Sequence, residues 1–517
     1  MNSIALTRTL LIYGLILPLA AILGYMLTTP LDPGSLKVIG VVAFALTIPL
    51  LIRSHQVILL FSWNAVVTFS FLPGTPHFWM LMAVLSLGFA MVNRVLDRHG
   101  TAQFCHVPAV TYTLLFLALV VILTAKMTGG IGLRSLGSSS YGSKGYVYLL
   151  AAIIGYFAMT SSPISALKAR LVPSLFFLPG LTSLLSTLIY YAGPTFFVLY
   201  AIFPSGDAVA LSTGGSDAEI VRLGGLGGAS MACMFYLLAR YGIGGVLTVN
   251  HPWRFLIFAL VLVISLFSGF RSSLIFVGMI FGMQFYFEGQ MRTRLFPVLA
   301  IAGVFFMVLL VPLADRLPMA MQRTLSFLPV QVDPAVRSSA ENSTKWRLEM
   351  WEMLWPDLPK YIFVGKGYAI NPTDLYMTDV GVRSGRLASW EGSLSAGDYH
   401  SGPLSIYVPF GSFGVLAFLF FLIASIRTLH QNYRYGEAHL RTINTFLLAA
   451  FIARSIFFFF VFGSISSELF AFTGTIGLSV ALNGGVKQDP VWSPAVAVSP
   501  TTRDRPARRR LNAGRTA

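Results

Sequence analysis

Six ionisable residues in the second half of the chain could take part in chemistry. Arginine carries a permanent positive charge and binds phosphate oxygens in a bidentate manner. Histidine has an ordinary pKa of about 6.5 and can accept a proton from a hydroxyl group at neutral pH. Together, these residue types predict a site that binds an anion next to a general base. The six residues are Arg271, Arg347, Asp398, His400, Arg454 and Glu468.

Each of these residues also has a plain structural interpretation. Arg271 could mark a helix end, with its guanidinium at the lipid headgroups. Arg347 could pair with a carboxylate nearby in the sequence, and His400 could be a hydrogen-bonded interface histidine. Arg454 lies inside an apolar segment, where a charge costs at least about 2.5 kcal/mol and needs a cavity or a partner. An ion pair with Glu468 would meet that need.

The composition excludes an ordinary soluble enzyme. Of the 517 residues, 55% are hydrophobic and only 11% are charged, whereas soluble domains are about 25% charged. Apolar runs of about 20 residues recur almost from end to end, and each can cross about 30 Å of hydrocarbon as a helix. We therefore predict an all-α polytopic membrane protein with about 12–14 transmembrane helices. A large extracytoplasmic loop with short helices interrupts its last spans.

The apolar runs predict about 14 spans. Two prolines in the span 175–203, Pro179 and Pro194, predict a broken or strongly tilted helix, or two short pieces. The spans cover residues 9–27, 36–52, 56–72, 77–93, 107–125, 146–162, 175–203, 224–240, 254–270, 271–288, 295–313, 403–426, 441–462 and 467–483.

The distribution of Lys and Arg predicts the orientation, because basic loops stay in the cytoplasm. Every second gap is rich in basic residues, as at Arg94 and Arg98 or at Arg292 and Arg294, and so is the C-terminal tail. This alternation places both termini in the cytoplasm. It also explains the formal net charge of +16, so the charge does not indicate a nucleic-acid partner. It places the gap 126–145 outside, although that gap holds three basic residues.

The spans and the long loop between them divide the chain into four parts. The third part consists of the last three spans. The outer loop is far longer than a usual connection of about 4–6 residues, and long loops often carry function. The parts are a transmembrane bundle of about 11 spans (1–313), a loop (314–402), the last spans (403–483) and a disordered basic cytoplasmic tail (484–517).

One segment of the outer loop has the pattern of an amphipathic helix. Ser343 or Thr344 is its expected N-cap, and Pro356 lies close to its expected end. An aromatic helix of this kind can lie at the membrane interface. Its apolar positions are Trp346, Met350, Met353 and Leu354.

Three sequence patterns then follow one another along the chain. The first is SGFRSSLIF, which contains Arg271. The second is KWRLEMWEMLWPDLPKYIFVGKGYA, in which Arg347 begins an R-x3-W pattern that precedes a G-x-G turn. The third is YHSGPLSIYVPFGSFGVLAFLFFL, in which spaced glycines follow His400. Together, over residues 255–426, they resemble the O-antigen ligase and O-antigen polymerase superfamily of bacterial inner-membrane glycosyltransferases.

The resemblance implies transfer of a glycan from an undecaprenyl-pyrophosphate carrier to an acceptor sugar at the periplasmic face. Arg271 and Arg347 match the two motif arginines, to which we assign the pyrophosphate. His400 matches the motif histidine and is the expected general base, with Asp398 as a residue that orients it. Ser401 stands where many members have asparagine, and the chain has more spans than is usual in the family.

Further expectations concern metals and partners. The outer loop contains no DxD-like motif or carboxylate cluster, so we expect a reaction that needs neither a metal nor another cofactor. Direct displacement would invert the anomeric centre. The expected partners are the carrier-linked glycan, an acceptor glycan or glycolipid, the lipid bilayer and other polysaccharide-assembly proteins. The choice between polymerase and ligase stays open at this point.

Two other functions fit a polytopic protein of this composition. A lipid-linked oligosaccharide flippase would place its ionisable residues near the bilayer midplane, between repeated halves, and no internal repeat is evident. A non-catalytic component of a polysaccharide-assembly machine would use the outer loop as a docking surface, so its loop aromatics would matter more than Arg or His.

Overall fold

The computed structural model describes residues 13–14, 17–18, 20–22, 24, 33–70, 72, 74–96, 104–129, 143–206, 222–369, 372–395 and 397–489. Within these ranges the chain is helical and has no β-strand beyond one isolated bridge between Thr68 and His77. The predicted span 9–27, most of the gap 126–145 and the tail beyond residue 489 lie largely or wholly outside them.

The described residues form helices that we number in chain order. They are α1 (Pro33–Asn64), α2 (Phe78–Leu96), α3 (Pro108–Thr128), α4 (Ser143–Met159), α5 (Ala166–Ala169), α6 (Val172–Phe177), α7 (Leu184–Ala192), α8 (Gly224–Val246), α9 (Pro252–Leu266), α10 (Arg271–Phe287), α11 (Leu295–Leu310), α12 (Met319–Leu325), α13 (Pro334–Leu354), α14 (Pro372–Arg383), α15 (Ser389–Ser395), α16 (Gly402–Tyr435), α17 (Arg441–Phe460) and α18 (Ile465–Asn483).

Eight helical segments of the described chain are long and apolar enough to cross a membrane. The predicted fold class, an all-α polytopic membrane protein, is therefore confirmed. Helices α4 and α9 are apolar but shorter. The eight segments are Phe78–Val95, Pro108–Thr128, Val172–Ala192, Gly224–Val246, Leu295–Arg316, Gly402–Tyr435, Ala438–Phe460 and Ile465–Asn483.

The first well-described part of the chain differs from the predicted spans 36–52 and 56–72. Helix α1 covers the first span and continues, with a kink at Ser54, into the second, but it ends at Asn64, well before residue 72. The following residues are extended because their amides bond to another segment: Thr68 N donates to the Ile202 carbonyl at 2.7 Å. Hydropathy could not reveal this, since an apolar extended segment and an apolar helix have the same composition.

The segment 175–203 is broken, which is one of the outcomes that its prolines predict. A 3-10 helix at Leu178–Ser183 separates α6 from α7, and a second one at Pro194–Ala201 follows Gly193. Proline lacks an N–H group for the helical ladder, so the chain changes its hydrogen-bonding pattern near each proline.

Helices α16, α17 and α18 pack through a cluster of buried phenylalanines. Phe418 lies 5.3 Å from Phe458 and 5.7 Å from Phe472, and Phe472 lies 5.1 Å from Phe451, between ring centroids. Tilted and edge-to-face rings at these distances pack favourably. The three helices therefore form a tightly packed scaffold for the loops at their ends.

Buried amides join the same three helices at the end opposite the outer loop. Asn432 Nδ2 donates to Ser479 Oγ at 3.1 Å, and Asn444 and Asn483 bond to each other through their side chains at 2.9 and 3.1 Å. Polar groups buried among apolar helices are stable only when they are bonded in this way.

The loop helix α13 begins earlier than the sequence pattern indicates. Its N-cap is Asp333, whose Oδ1 accepts a hydrogen bond from Ala335 N at 2.8 Å, and Pro334 occupies the first turn. Ser343 and Thr344 lie inside the helix, so their prediction as N-caps is wrong. An Asp-Pro pair is a stronger start signal, because it supplies both a cap and a preset φ. The end of α13 at Leu354 agrees with Pro356.

The G-x-G turn of the outer loop inserts beside a break in α16. At this break Gly411 has a φ of +63°, a conformation that favours glycine. Lys366 N and Gly367 N donate to the carbonyls of Val408 and Pro409, at 2.7 and 3.0 Å. The loop thus satisfies backbone groups that the break frees, and it holds the start of α16 in place.

Candidate active site

The backbone of His400 is held by the two residues that precede it in the sequence. His400 has a φ of +47°, which is uncommon for a residue with a side chain. The backbone N–H of His400 donates to Asp398 Oδ1 at 3.3 Å, and the carbonyl of the adjacent Tyr399 accepts from Trp351 Nε1 of α13 at 2.9 Å. These bonds hold the turn that precedes α16 against α13.

The imidazole of His400 lies between two aromatic rings. Its centroid is 4.9 Å from that of Trp346 and 5.4 Å from that of Phe462. Nε2 lies 3.6 Å from Asp398 Oδ2, whereas Nδ1 is buried and has no hydrogen-bond partner in the described part of the chain. One ring nitrogen thus faces a carboxylate, and the other is free to bond to a further group.

The environment keeps His400 neutral. Burial lowers the pKa of His400 below its ordinary value, Asp398 acts in the opposite direction, and the positive charge of Arg347 lowers the pKa again. The imidazole is therefore unprotonated at neutral pH, and the unprotonated imidazole can accept a proton.

Arg347 reaches the same place from α13. Its guanidinium carbon lies 5.5 Å from the centroid of Phe462, the ring that also contacts His400. Its Nε is buried and makes no hydrogen bond to any described residue. Burial and then the charges of Arg271 and Arg222 lower the pKa of Arg347, with only Asp398 opposing them. Since arginine does not lose its proton in proteins, this guanidinium is a cation in need of an anion.

Arg271 is the first residue of α10 and links this helix to α13. Its Nη2 donates to the Ala340 carbonyl at 3.2 Å. A cavity of about 550 Å³ opens beside this contact, lined by Arg271, Thr344 and Lys345 among others. The structure therefore places Arg271, Arg347, Asp398 and His400 around the junction of α10, α13 and the start of α16.

Arg454 lies deeper in the helix bundle than Arg271, Arg347 and His400. It forms an ion pair with Glu468, and its guanidinium carbon lies 4.8 Å from the centroid of Phe276. Because Phe276 follows Arg271 by five residues of one helix, this contact lies about 7.5 Å further along α10. The ion pair joins α17 and α18 beneath the site, as the plain structural interpretation of Arg454 expects.

Two further arginines, Arg222 and Arg323, belong to the same positively charged region. Arg222 precedes α8 and lies over the Phe270 ring, at 5.9 Å from its centroid. Arg323 is buried within α12. Neither arginine is a candidate from the sequence, because Arg222 is an isolated charge in a gap between predicted spans and Arg323 lies in a loop segment without a pattern. An arginine inside a mostly apolar stretch, as in MAMQRTL, was the available signal.

Residues 255–419 match the family described as O-antigen ligase. Over these residues the chain is similar to the O-antigen ligase family. The resemblance that the three sequence patterns indicate is thereby confirmed. A comparison with curated proteins finds no match.

The O-antigen ligase match contains Arg271, Arg347 and His400, whereas Arg454 and Glu468 follow it. The family and the apolar helices together identify a multi-pass membrane protein that processes glycans, with an activity of the glycosyltransferase type. The O-antigen ligase region also includes α12 and α13, so the helices that gather the arginines are part of the family's common domain.

Proposed function

We propose that this O-antigen ligase family member transfers a glycan from an undecaprenyl-pyrophosphate carrier to an acceptor sugar. The reaction takes place at the periplasmic face of a bacterial inner membrane, with both termini of the chain in the cytoplasm. One observation carries the proposal: the guanidinium of Arg347, which forms no ion pair with a described residue, and the neutral imidazole of His400 pack against the same ring of Phe462. A cation for the leaving group thus stands next to a base for the nucleophile.

The chemistry assigns a role to each side chain. The acceptor hydroxyl oxygen attacks the anomeric carbon, and the bond from that carbon to the phosphate oxygen breaks. The electron pair goes to the pyrophosphate, whose growing charge Arg271 and Arg347 neutralise. The hydroxyl proton passes to His400. A single displacement of this kind inverts the anomeric centre.

Asp398 orients the imidazole in this mechanism. With Nε2 facing Asp398, Nδ1 is the nitrogen that accepts the proton. The guanidiniums supply the positive charge that a metal ion supplies in other glycosyl transfers, so we propose a metal-independent reaction. The Arg454 and Glu468 pair supports the site from below through Phe276.

Substitutions of two residues test the proposed function. We expect His400→Ala to lower glycan transfer by about 10²–10⁴-fold, since it removes a general base. Arg271→Ala removes charged hydrogen bonds to phosphate, which are worth at least about tenfold. Transfer is measured with purified, lipid-embedded protein, lipid-linked donor and acceptor. Arg386→Ala, an exposed arginine of the outer loop, should retain activity. Normal transfer by correctly inserted His400→Ala and Arg271→Ala proteins would refute the site.

The acceptor can be identified from the surface glycan of a deletion strain. A polymerase uses another carrier-linked unit as acceptor, so its loss leaves single repeats. A ligase uses a lipid core as acceptor, and its loss leaves full chains on the carrier. Movement of labelled donor across vesicles without a change in glycan length would instead indicate a flippase.

A further inference from the structure

Arg323 is a buried cation without a carboxylate in contact among the described residues. Only 5% of its surface is exposed, and its side chain makes one hydrogen bond to a described residue, from Nη1 to Ser339 Oγ at 2.7 Å. Burial and then the charges of Arg222 and Arg271 lower the pKa of Arg323 to about 10. A buried charge needs a counter-charge and several hydrogen bonds. A single hydroxyl meets only part of that need, so the described residues leave this charge available to an anion.

The contacts of Arg323 and Arg271 place the two guanidiniums side by side. Arg323 bonds to Ser339 and Arg271 bonds to the carbonyl of the next residue, Ala340. Helix α12 also touches the chain just before α10, since Thr324 Oγ1 donates to the Leu266 carbonyl at the end of α9 at 2.8 Å. Both cations are thus held against one turn of α13.

Arg222 closes the group from the other side of α10. Its side chain lies against Gly269 and over the Phe270 ring, the two residues before Arg271. Arg222 is exposed, Arg271 is half-buried and Arg323 is buried. The three guanidiniums therefore run from the surface into the protein, so an anion can enter from the water.

The surroundings strengthen the attraction for an anion. An apolar cluster that includes Leu266, Leu310, Met321 and Leu325 packs beneath α12, and charge interactions are stronger where water is excluded. The N-terminus of the 17-residue α10 adds unpaired backbone N–H groups and a partial positive charge at the same point.

We propose that Arg222 and Arg323 complete, with Arg271, a three-guanidinium subsite for the pyrophosphate of the lipid-linked donor. This rests on the proposed function. Negative charge grows during the reaction: a glycosyl pyrophosphate lipid carries two negative charges, and the lipid pyrophosphate that leaves, which Arg347 also contacts in the proposed mechanism, carries three. The subsite therefore matches the product of bond cleavage better than the substrate, which favours the transition state.

Binding of inorganic pyrophosphate to the purified full-length protein tests the subsite. We expect Arg222→Ala and Arg323→Gln each to weaken binding by at least about tenfold, since each removes charged hydrogen bonds. Arg222→Lys and Arg323→Lys should restore part of the affinity, because they keep the charge but lose the bidentate geometry. Arg316→Ala, an exposed arginine close to α12 in the sequence, should bind as the wild type does.

The same experiment separates this inference from the proposed function. His400→Ala should bind pyrophosphate normally and yet fail in transfer. If folded Arg222→Ala and Arg323→Gln proteins bind like the wild type while Arg271→Ala does not, Arg222 and Arg323 are not part of the site. If Arg271→Ala also binds normally, the phosphate assignment of the proposed function itself fails. If Arg323→Gln does not fold, the variants Arg222→Ala and Arg222→Lys, which change an exposed residue, test the subsite.

Discussion

The arginines of this protein differ in a way that their charge alone does not reveal. Arg454 has a carboxylate partner, Glu468, whereas Arg347 has a buried nitrogen without any hydrogen bond in the described chain. A paired guanidinium stabilises the fold, and an unpaired one is available to a ligand. Burial and neighbouring cations thus distinguish a structural arginine from a substrate-binding one.

The pH dependence of transfer should report on His400. The base acts only when it is neutral. Because the pKa of His400 is lowered, the imidazole stays mostly neutral as the pH falls to about 6.5. Asp398 raises the pKa of His400, so Asp398→Asn should move the acid limb of the profile to still lower pH. The measurement is kcat/KM against pH for the wild type and Asp398→Asn. A limb that moves upward would contradict the assignment of His400 as the base.

The elements that carry the site are joined by backbone contacts between distant parts of the chain. The G-x-G turn of the outer loop lies against the break in α16, with Ser412 N donating to the Ile362 carbonyl at 2.9 Å. A side chain at Gly365 would overlap the carbonyl of Pro409. The glycine is therefore required by close approach of two backbones, and that approach positions the turn of His400.

We expect Gly365→Ala to destabilise the protein, because neither backbone can move away without losing its hydrogen bonds. Overpacking usually costs about 1–3 kcal/mol, and a backbone clash lies at the upper end of that range. Tm in detergent and transfer activity should both fall. Gly392→Ala in α15 is the matched control, since its new methyl group would meet Val382 only at 3.8 Å. Equal Tm values for the two variants would contradict the role of the contact.

At the scale of the whole molecule, polar groups are concentrated at the two ends of the bundle. Arg271 and Glu288 stand at opposite ends of α10, about 25 Å apart. Glu288 accepts hydrogen bonds from Ile243 N and Gly244 N at the kink of α8. One end of the bundle is thus closed by internal bonds, whereas the other holds Arg271, Arg323 and Arg347, which form no ion pair with a described residue.

The orientation of the bundle can be tested by labelling with a membrane-impermeant maleimide. In a protein without its two cysteines, Cys105 and Cys233, we expect Ser338→Cys to react in cells whose inner membrane is intact. Thr293→Cys should react only after that membrane is opened. Both positions are exposed to solvent, so access depends on the side of the membrane alone. The reverse pattern would place the arginines in the cytoplasm.

Sequence alone determined the class of the molecule and supplied three residues of the proposed site. Long apolar runs have to become membrane helices, because backbone groups in lipid must bond within their own segment. The ordered patterns around Arg271, Arg347 and His400 carried the family. Sequence could also state that Arg454 needs a partner, because a charge inside an apolar span cannot stand alone.

Only the tertiary structure decided which charges meet. Arg222 and Arg323 join Arg271 through contacts with Phe270 and Ser339, and local periodicity does not encode contacts between segments far apart in sequence. The end of α1 at Asn64 likewise depends on a hydrogen bond from Thr68 to Ile202. Hydropathy indicates whether a segment prefers lipid or water. The segments packed against it determine its conformation and the partners of its charged side chains.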